Sequence, residues 1–402
     1  MYKSAVRNIN IIEKMFIDFL RIGICGGEIN KEIKEKITEE NLENLYNLAQ
    51  KHDLAHVVAD VLFKQKLMPD YEISVVYKNC LMMSLVRYQQ LTYELTRICD
   101  LLEENKIPHM PLKGAVIRNC YPEPWFRTSC DIDLLVDRED LQRVGDLFVS
   151  KLNFSEPSKN SHDWGFFTEN NVHIELHYDL IEQNNLTKNQ ARHKWNSKYL
   201  EDVWDEAVLA DNKTSEYKMT DEMFYYYHIA HMAKHFENGG CGVRTILDLW
   251  IFNNNVGYDR SKIETMLNDS GLTKFESSVR KLSEVWFSGC DEDEIIGTLG
   301  TFILTGGIYG NIENRVAIKQ NKNGGKLNYV GSRIFIPYEF LKFRYPILQK
   351  HKWLLPICHV RRWFHLIFKG RIGYSLNELK LNQQLTDEKI KSVTELLEIL
   401  GI

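Results

Sequence analysis

Asp131 and Asp133 stand two residues apart in FRTSCDIDLLVD, residues 126–137, where they break into an apolar run of Ile132, Leu134, Leu135 and Val136. The run reads as a buried strand. Side chains alternate faces along a strand, so both carboxylates point the same way. Like charges that close destabilise each other unless something positive lies between them. The segment HIELHYDL repeats the pattern, with His173, Glu175, His177 and Asp179 on one face and Ile174, Leu176, Tyr178 and Leu180 on the other. If the two strands are neighbours, Glu175 completes a three-carboxylate cluster. Hard divalent cations such as Mg²⁺ bind carboxylate oxygens octahedrally and keep positions for water and phosphate. Two such ions clamp the attacking and leaving oxygens of an in-line phosphoryl displacement. Solvated carboxylates on a half-exposed edge strand fit the same letters, because Asp-x-Asp is short and common. An unrelieved pair carries its own expectation: Asp133→Asn would leave the metal-free protein as stable or slightly more so, while abolishing metal-dependent chemistry.

Upstream, PLKGAVIR places Gly114 where a short strand hands over to a helix. Free N–H groups at a helix start bind phosphate, and glycine lets the phosphate approach the backbone. Lys113 adds a positive charge there and Arg127 precedes the Asp strand; both suit an anionic, metal-bound triphosphate. A single Lys-Gly pair is otherwise an ordinary turn. Downstream, His228, His231 and His235 fall within about a 60° arc of one helix. Such a stripe is either a metal site of the kind hydrolases use, or a polar helix face packed beside the strands with its histidines hydrogen-bonded to carboxylates. No His-Glu-x-x-His motif accompanies it. Arg244 and Asp248 are spaced for an i,i+4 ion pair on the next helix.

The elements that must hold these residues divide the chain. Residues 1–105 repeat apolar positions at helical spacing with few Gly or Pro. Residues 106–182 mix strands and helices: a short strand, the Asp strand, a helix over REDLQRVGDLFVSKLNF, then the strands WGFFTE and VHIELHYDL. Residues 183–310 form a second helical region, with Thr220 as a helix N-cap. Residues 311–402 open on a polar, Gly/Asn-containing linker and end in a basic aromatic segment, with Arg361, Arg362, Trp363 and His365, that packs its aromatics inward under Arg stems. The fold class is α+β: a small mixed sheet flanked by helical regions.

The composition of the 402 residues, 44% hydrophobic and 26% charged, describes a globular protein of two or three packed units. A net charge of −5 argues against general nucleic-acid binding. No early segment resembles a signal peptide, and no run of about 20 apolar residues provides a transmembrane segment. The eight cysteines lack a Cys-x-x-Cys pair, and Cys25, Cys80 and Cys99 read as small core residues of a reducing cytoplasm.

Together PLKG, RTSCDIDLLV, IELH and HMAKHFENGGCGVRTILDL occur in an order that resembles the DNA polymerase β-type nucleotidyltransferase superfamily. Within it they resemble a bacterial nucleotidyltransferase family with LKG…R…DIDLLV, ELH and HxxKH…R…DL segments, over about residues 106–250. The superfamily's usual Gly-Ser or Gly-Gly is Lys113-Gly114 here. The resemblance implies metal-dependent transfer of a nucleoside monophosphate from a nucleoside triphosphate to a small-molecule, sugar-linked or protein acceptor. By position, Asp131, Asp133 and Glu175 would bind Mg²⁺ or Mn²⁺, and Glu175 would help deprotonate the acceptor. Lys113 and Gly114 would hold the triphosphate, with Arg127, His231 and His235 nearby. A catalytically inactive binding or regulatory module and a His/Asp phosphohydrolase are the competing readings.

Overall fold

The computed structural model describes residues 10–70, 72–160, 162–180, 198–368 and 372–402. The expected boundary at residue 182/183 lies outside them, as do the first nine residues of the N-terminal helical expectation. The fold is α+β. Five short strands, β1 (His109–Pro111), β2 (Asp131–Val136), β3 (Ser158–Lys159), β4 (Asp163–Phe167) and β5 (His173–His177), form a sheet of order β1-β2-β5-β4-β3. It is mixed: β2 pairs parallel with β5, and the other neighbours are antiparallel.

Period-two alternation decides what each face of this sheet does. Ile132, Leu134 and Val136 of β2, Phe166 of β4, and Ile174 and Leu176 of β5 point to one side. There they bury against the 33-residue helix Glu72–Glu104 and the helix Leu141–Leu152, through Leu91, Ile98, Val144 and Phe148. The opposite face carries Asp131 and Asp133 beside His173, Glu175 and His177. A second core runs from the helix Ile11–Cys25 through the helices Asp221–Glu237 and Val243–Asn255 to Asp387–Leu400, and it includes Leu135 of β2. Thr220 caps the helix Asp221–Glu237, its hydroxyl accepting from the Met223 N–H.

Three expectations change. The 311–331 segment is not a linker but two helices, Ile312–Lys322 and Lys326–Ile334, turned at Gly324 and Gly325, both at positive φ. Val316, Ala317, Ile318 and Tyr329 are buried, so the apolar positions outweigh the overall polarity. The basic aromatic helix Leu355–Phe368 does not pack its aromatics inward as a set: Arg362 is buried, while Phe364 and Phe368 are exposed. All eight cysteines are free, but only some are core: Cys99 is buried, Cys80 half-buried and Cys25 exposed.

Candidate active site

In the β2–β5 register Asp133 lies opposite Glu175 and Asp131 opposite His173. The three carboxylates therefore meet on one face, where they line a cleft of about 450 Å³ with Lys113, Gly114 and Arg127. The facing wall comes from the helix Asp221–Glu237, through Tyr227, His228, His231, Lys234 and His235.

The positive partner that the Asp pair requires comes from the chain itself. Lys113 Nζ donates to Asp133 Oδ1 at 2.7 Å, and His177 Nε2 reaches the same oxygen at 2.8 Å. His177 Nε2 also lies 3.5 Å from Glu175 Oε2. Burial alone would favour a protonated Asp133, but the Lys113 ammonium and the His177 imidazole hold its carboxyl far below the usual carboxylate range. The effect is mutual: burial works against a charged Lys113 and a charged His177, yet Asp133 raises both above their ordinary values. Asp131 goes the other way. Burial pushes its carboxyl up, and the neighbouring Asp133 and Glu175 push it further. This corrects the expected gain from Asp133→Asn, because Asp133 is the neutralised member of the pair and Asp131 the crowded one.

Lys113 occupies its place at a conformational cost. It adopts φ 46°, ψ −117°, a region open to glycine and sparsely used by other residues. A Cβ on Gly114 would sit 3.4 Å from Arg127 Nη1 and 3.5 Å from Ser129 Oγ, ordinary contact distances that leave room for one. The phosphate-binding helix start is weaker than the strand–Gly–helix pattern suggests. The helix Gly114–Ile117 has four residues, and the N–H groups of Ala115, Val116 and Ile117 already donate to Leu112 and Lys113 carbonyls.

Arg127 is buried in the wall. Its Nε donates to Asp248 Oδ1 at 2.7 Å, and Tyr121 donates to the same oxygen at 2.6 Å. The expected Arg244–Asp248 pair is therefore exchanged for two longer-range ones: Arg244 Nη1 binds Asp53 Oδ2 at 2.7 Å. His228 spends Nε2 on the Thr245 carbonyl at 3.0 Å. His231 and His235 are stacked edge-on with ring centroids 4.5 Å apart, and burial, then His235 and Lys113, hold His231 neutral. Among the described residues no cluster of three metal-ligating side chains includes His228, His231 or His235.

The sheet holds two sets of possible metal ligands, each of two carboxylates and one imidazole. One oxygen or nitrogen from each of Asp131, His173 and Glu175 lies within 4.8 Å of the others, and the same holds for Asp133, Glu175 and His177. Gly165 of β4 lies opposite Glu175, and a Cβ there would sit 3.0 Å from His173 Nε2. Two contributors escaped the sequence reading as site residues. His177 was visible on the carboxylate face, but its contact to Asp133 depends on register. Asp163, paired opposite His177 and bonded by His162 and Asn160, comes from a strand with no alternating polar signal.

Residues 38–288 match the family model described as an uncharacterised nucleotidyltransferase, a span of more than half the chain. The chain belongs to that family. No curated protein and no solved structure matches it. Among the described residues, no helix of this family member is long and apolar enough to cross a membrane.

Proposed function

We propose that the cleft transfers a nucleoside monophosphate from a nucleoside triphosphate to an acceptor hydroxyl, with Mg²⁺ or Mn²⁺, in the cytoplasm. The observation that carries this reading is the parallel β2–β5 register, which sets Asp133 opposite Glu175 with Asp131 two residues along the same face. Family membership supports the same class of chemistry. Asp131, Asp133 and Glu175 would hold the cation, Asp133 through Oδ2, since its Oδ1 is engaged by Lys113 and His177. When bound, the metal supplies charge neutralisation on the phosphates and at the attacking and leaving oxygens.

The remaining work belongs to side chains. Lys113 and the buried Arg127, paired with Asp133 and Asp248, offset part of the cleft's carboxylate charge towards a triphosphate. Gly114 lines the cleft floor. Glu175, partly exposed on the cleft side, takes the acceptor proton as the hydroxyl attacks the α-phosphorus and pyrophosphate leaves. Neutral His231 and its neighbour His235 provide hydrogen-bonding groups on the opposite wall without adding to the positive charge. The acceptor class remains a small molecule, a sugar-linked precursor or a protein.

The test is to incubate the protein with each α-labelled nucleoside triphosphate, Mg²⁺ or Mn²⁺, and a metabolite and protein extract. Label is expected to move onto an acceptor with wild type and not with Asp131→Asn. No transfer from any triphosphate, together with no binding of metal and triphosphate, would establish the binding-module reading instead.

A further inference from the structure

The helix Leu355–Phe368 is mounted with its apolar side outwards. At about 100° per residue, Ile357, Val360, Phe364, Ile367 and Phe368 fall within an arc of about 100°. All five are exposed, Phe364 at 55% and Phe368 at 83%. The buried positions Cys358, His359 and Arg362 lie on the opposite side. Polar bonds fix this orientation: Arg362 Nη2 donates to the carbonyls of Arg333 and Ile334, and Trp363 Nε1 donates to the Ile334 carbonyl at 3.1 Å. Rotating the stripe inwards would break all three bonds and expose the guanidinium's buried partners. Trp353 and Ile347 in the same region are exposed as well. A contiguous patch of this kind marks an interaction site.

Charge narrows what covers it. Residues 326–368 carry eight Lys or Arg against one acid, Glu339, in a chain of net charge −5. Arg344, Lys350, Lys352 and Arg361 are exposed, and none has a carboxylate partner among the described residues. A second copy seated on the stripe would set these cations against their own counterparts. A nucleic acid would match the cations but leave five aliphatic and aromatic side chains uncovered. An anionic lipid surface matches both, because an amphipathic helix lies in the interface with its apolar stripe in the acyl boundary and flanking cations among the headgroups. We propose that this face docks the protein on anionic lipid membrane, with Ile357, Phe364 and Phe368 inserted and Lys352 and Arg361 on the headgroups.

Flotation of the full-length protein with vesicles tests this. The protein is expected to float with phosphatidylcholine vesicles containing phosphatidylglycerol, not with phosphatidylcholine alone, and less at high salt. Lys352→Ala should weaken partitioning about fivefold. Phe364→Glu should abolish it with an unchanged melting temperature, since Phe364 packs little in the fold. Failure to float with anionic vesicles, or flotation unaffected by Phe364→Glu, would overturn the proposal. So would a concentration-dependent dimer in light scattering that Phe364→Glu dissolves, which would assign the face to a second copy.

Discussion

Asp131 and Asp133 differ only in what surrounds them, and that difference gives their asparagine variants opposite stabilities. Asp133 receives hydrogen bonds from Lys113 and His177 inside a buried site. Replacing its carboxylate with an amide leaves the Lys113 ammonium short of a charge and the His177 bond weakened, so Asp133→Asn is expected to cost about 1–3 kcal/mol. Asp131 is held up by burial and by Asp133 and Glu175. Asp131→Asn removes one of three crowded charges and is expected to leave the metal-free protein as stable or slightly more so. Both variants should lose nucleotidyl transfer, and urea unfolding of the metal-free proteins separates them. Equal destabilisation by the two would refute the assignment of Lys113 and His177 to Asp133. Lys113 offers a companion test, since its φ of 46° favours glycine. Lys113→Gly and Lys113→Ala lose the same ammonium, but the glycine variant is expected to be more stable by about 1 kcal/mol or more. Equal stabilities would mean that the backbone there stores no strain.

At the scale of elements, the site depends on pairs that cross from one element to another. The Arg127–Asp248 pair joins the approach to β2 to the helix Val243–Asn255, and both partners are buried. Asp248→Ala strands the Arg127 charge and is expected to cost about 3–5 kcal/mol in thermal or urea unfolding. A loss below 1 kcal/mol would show that Arg127 finds water instead. This is also where legibility in the sequence ended. Faces follow from period two, so the convergence of Asp131, Asp133 and Glu175 was readable once β2 and β5 were taken as neighbours. Partners do not follow from period. The Arg244 and Asp248 spacing permitted a local pair, yet each found its mate more than 100 residues away. Lys113 was legible as a cation near the site, but its contact to Asp133 was not. The 311–331 helices were missed because average polarity hid the four apolar positions that pack.

The whole molecule is tied together by His52, which sits between distant segments of the larger core. Its Nδ1 accepts from the Val243 N–H at 3.2 Å, and its Nε2 donates to the Leu304 carbonyl at 3.3 Å. Accepting at Nδ1 requires the neutral ring. Burial, against the help of the Leu304 carbonyl, pushes its pKa down from 6.5 to about 4. A histidine depressed on folding gives stability that is complete above its unfolded value and lost as pH falls towards its folded value. For His52 that window runs from 6.5 down to about 4. The gap, at about 1.36 kcal/mol per pH unit, corresponds to roughly 3 kcal/mol. Buried His56 and His109 and half-buried His228 and His231 are depressed by desolvation as well and act in the same direction. The protein is therefore expected to lose stability steeply between pH 6.5 and pH 4, well above the range in which Asp133 takes a proton. His52→Asn keeps an acceptor for the Val243 N–H but cannot titrate. Whatever it costs at neutral pH, it should lower the slope of unfolding free energy against pH in that window by about one proton, or about 1.4 kcal/mol per pH unit. Urea unfolding at a series of pH values reads that slope directly. A slope identical to wild type would mean that His52 is protonated in the folded protein, and that its place between Val243 and Leu304 is not what fixes its charge.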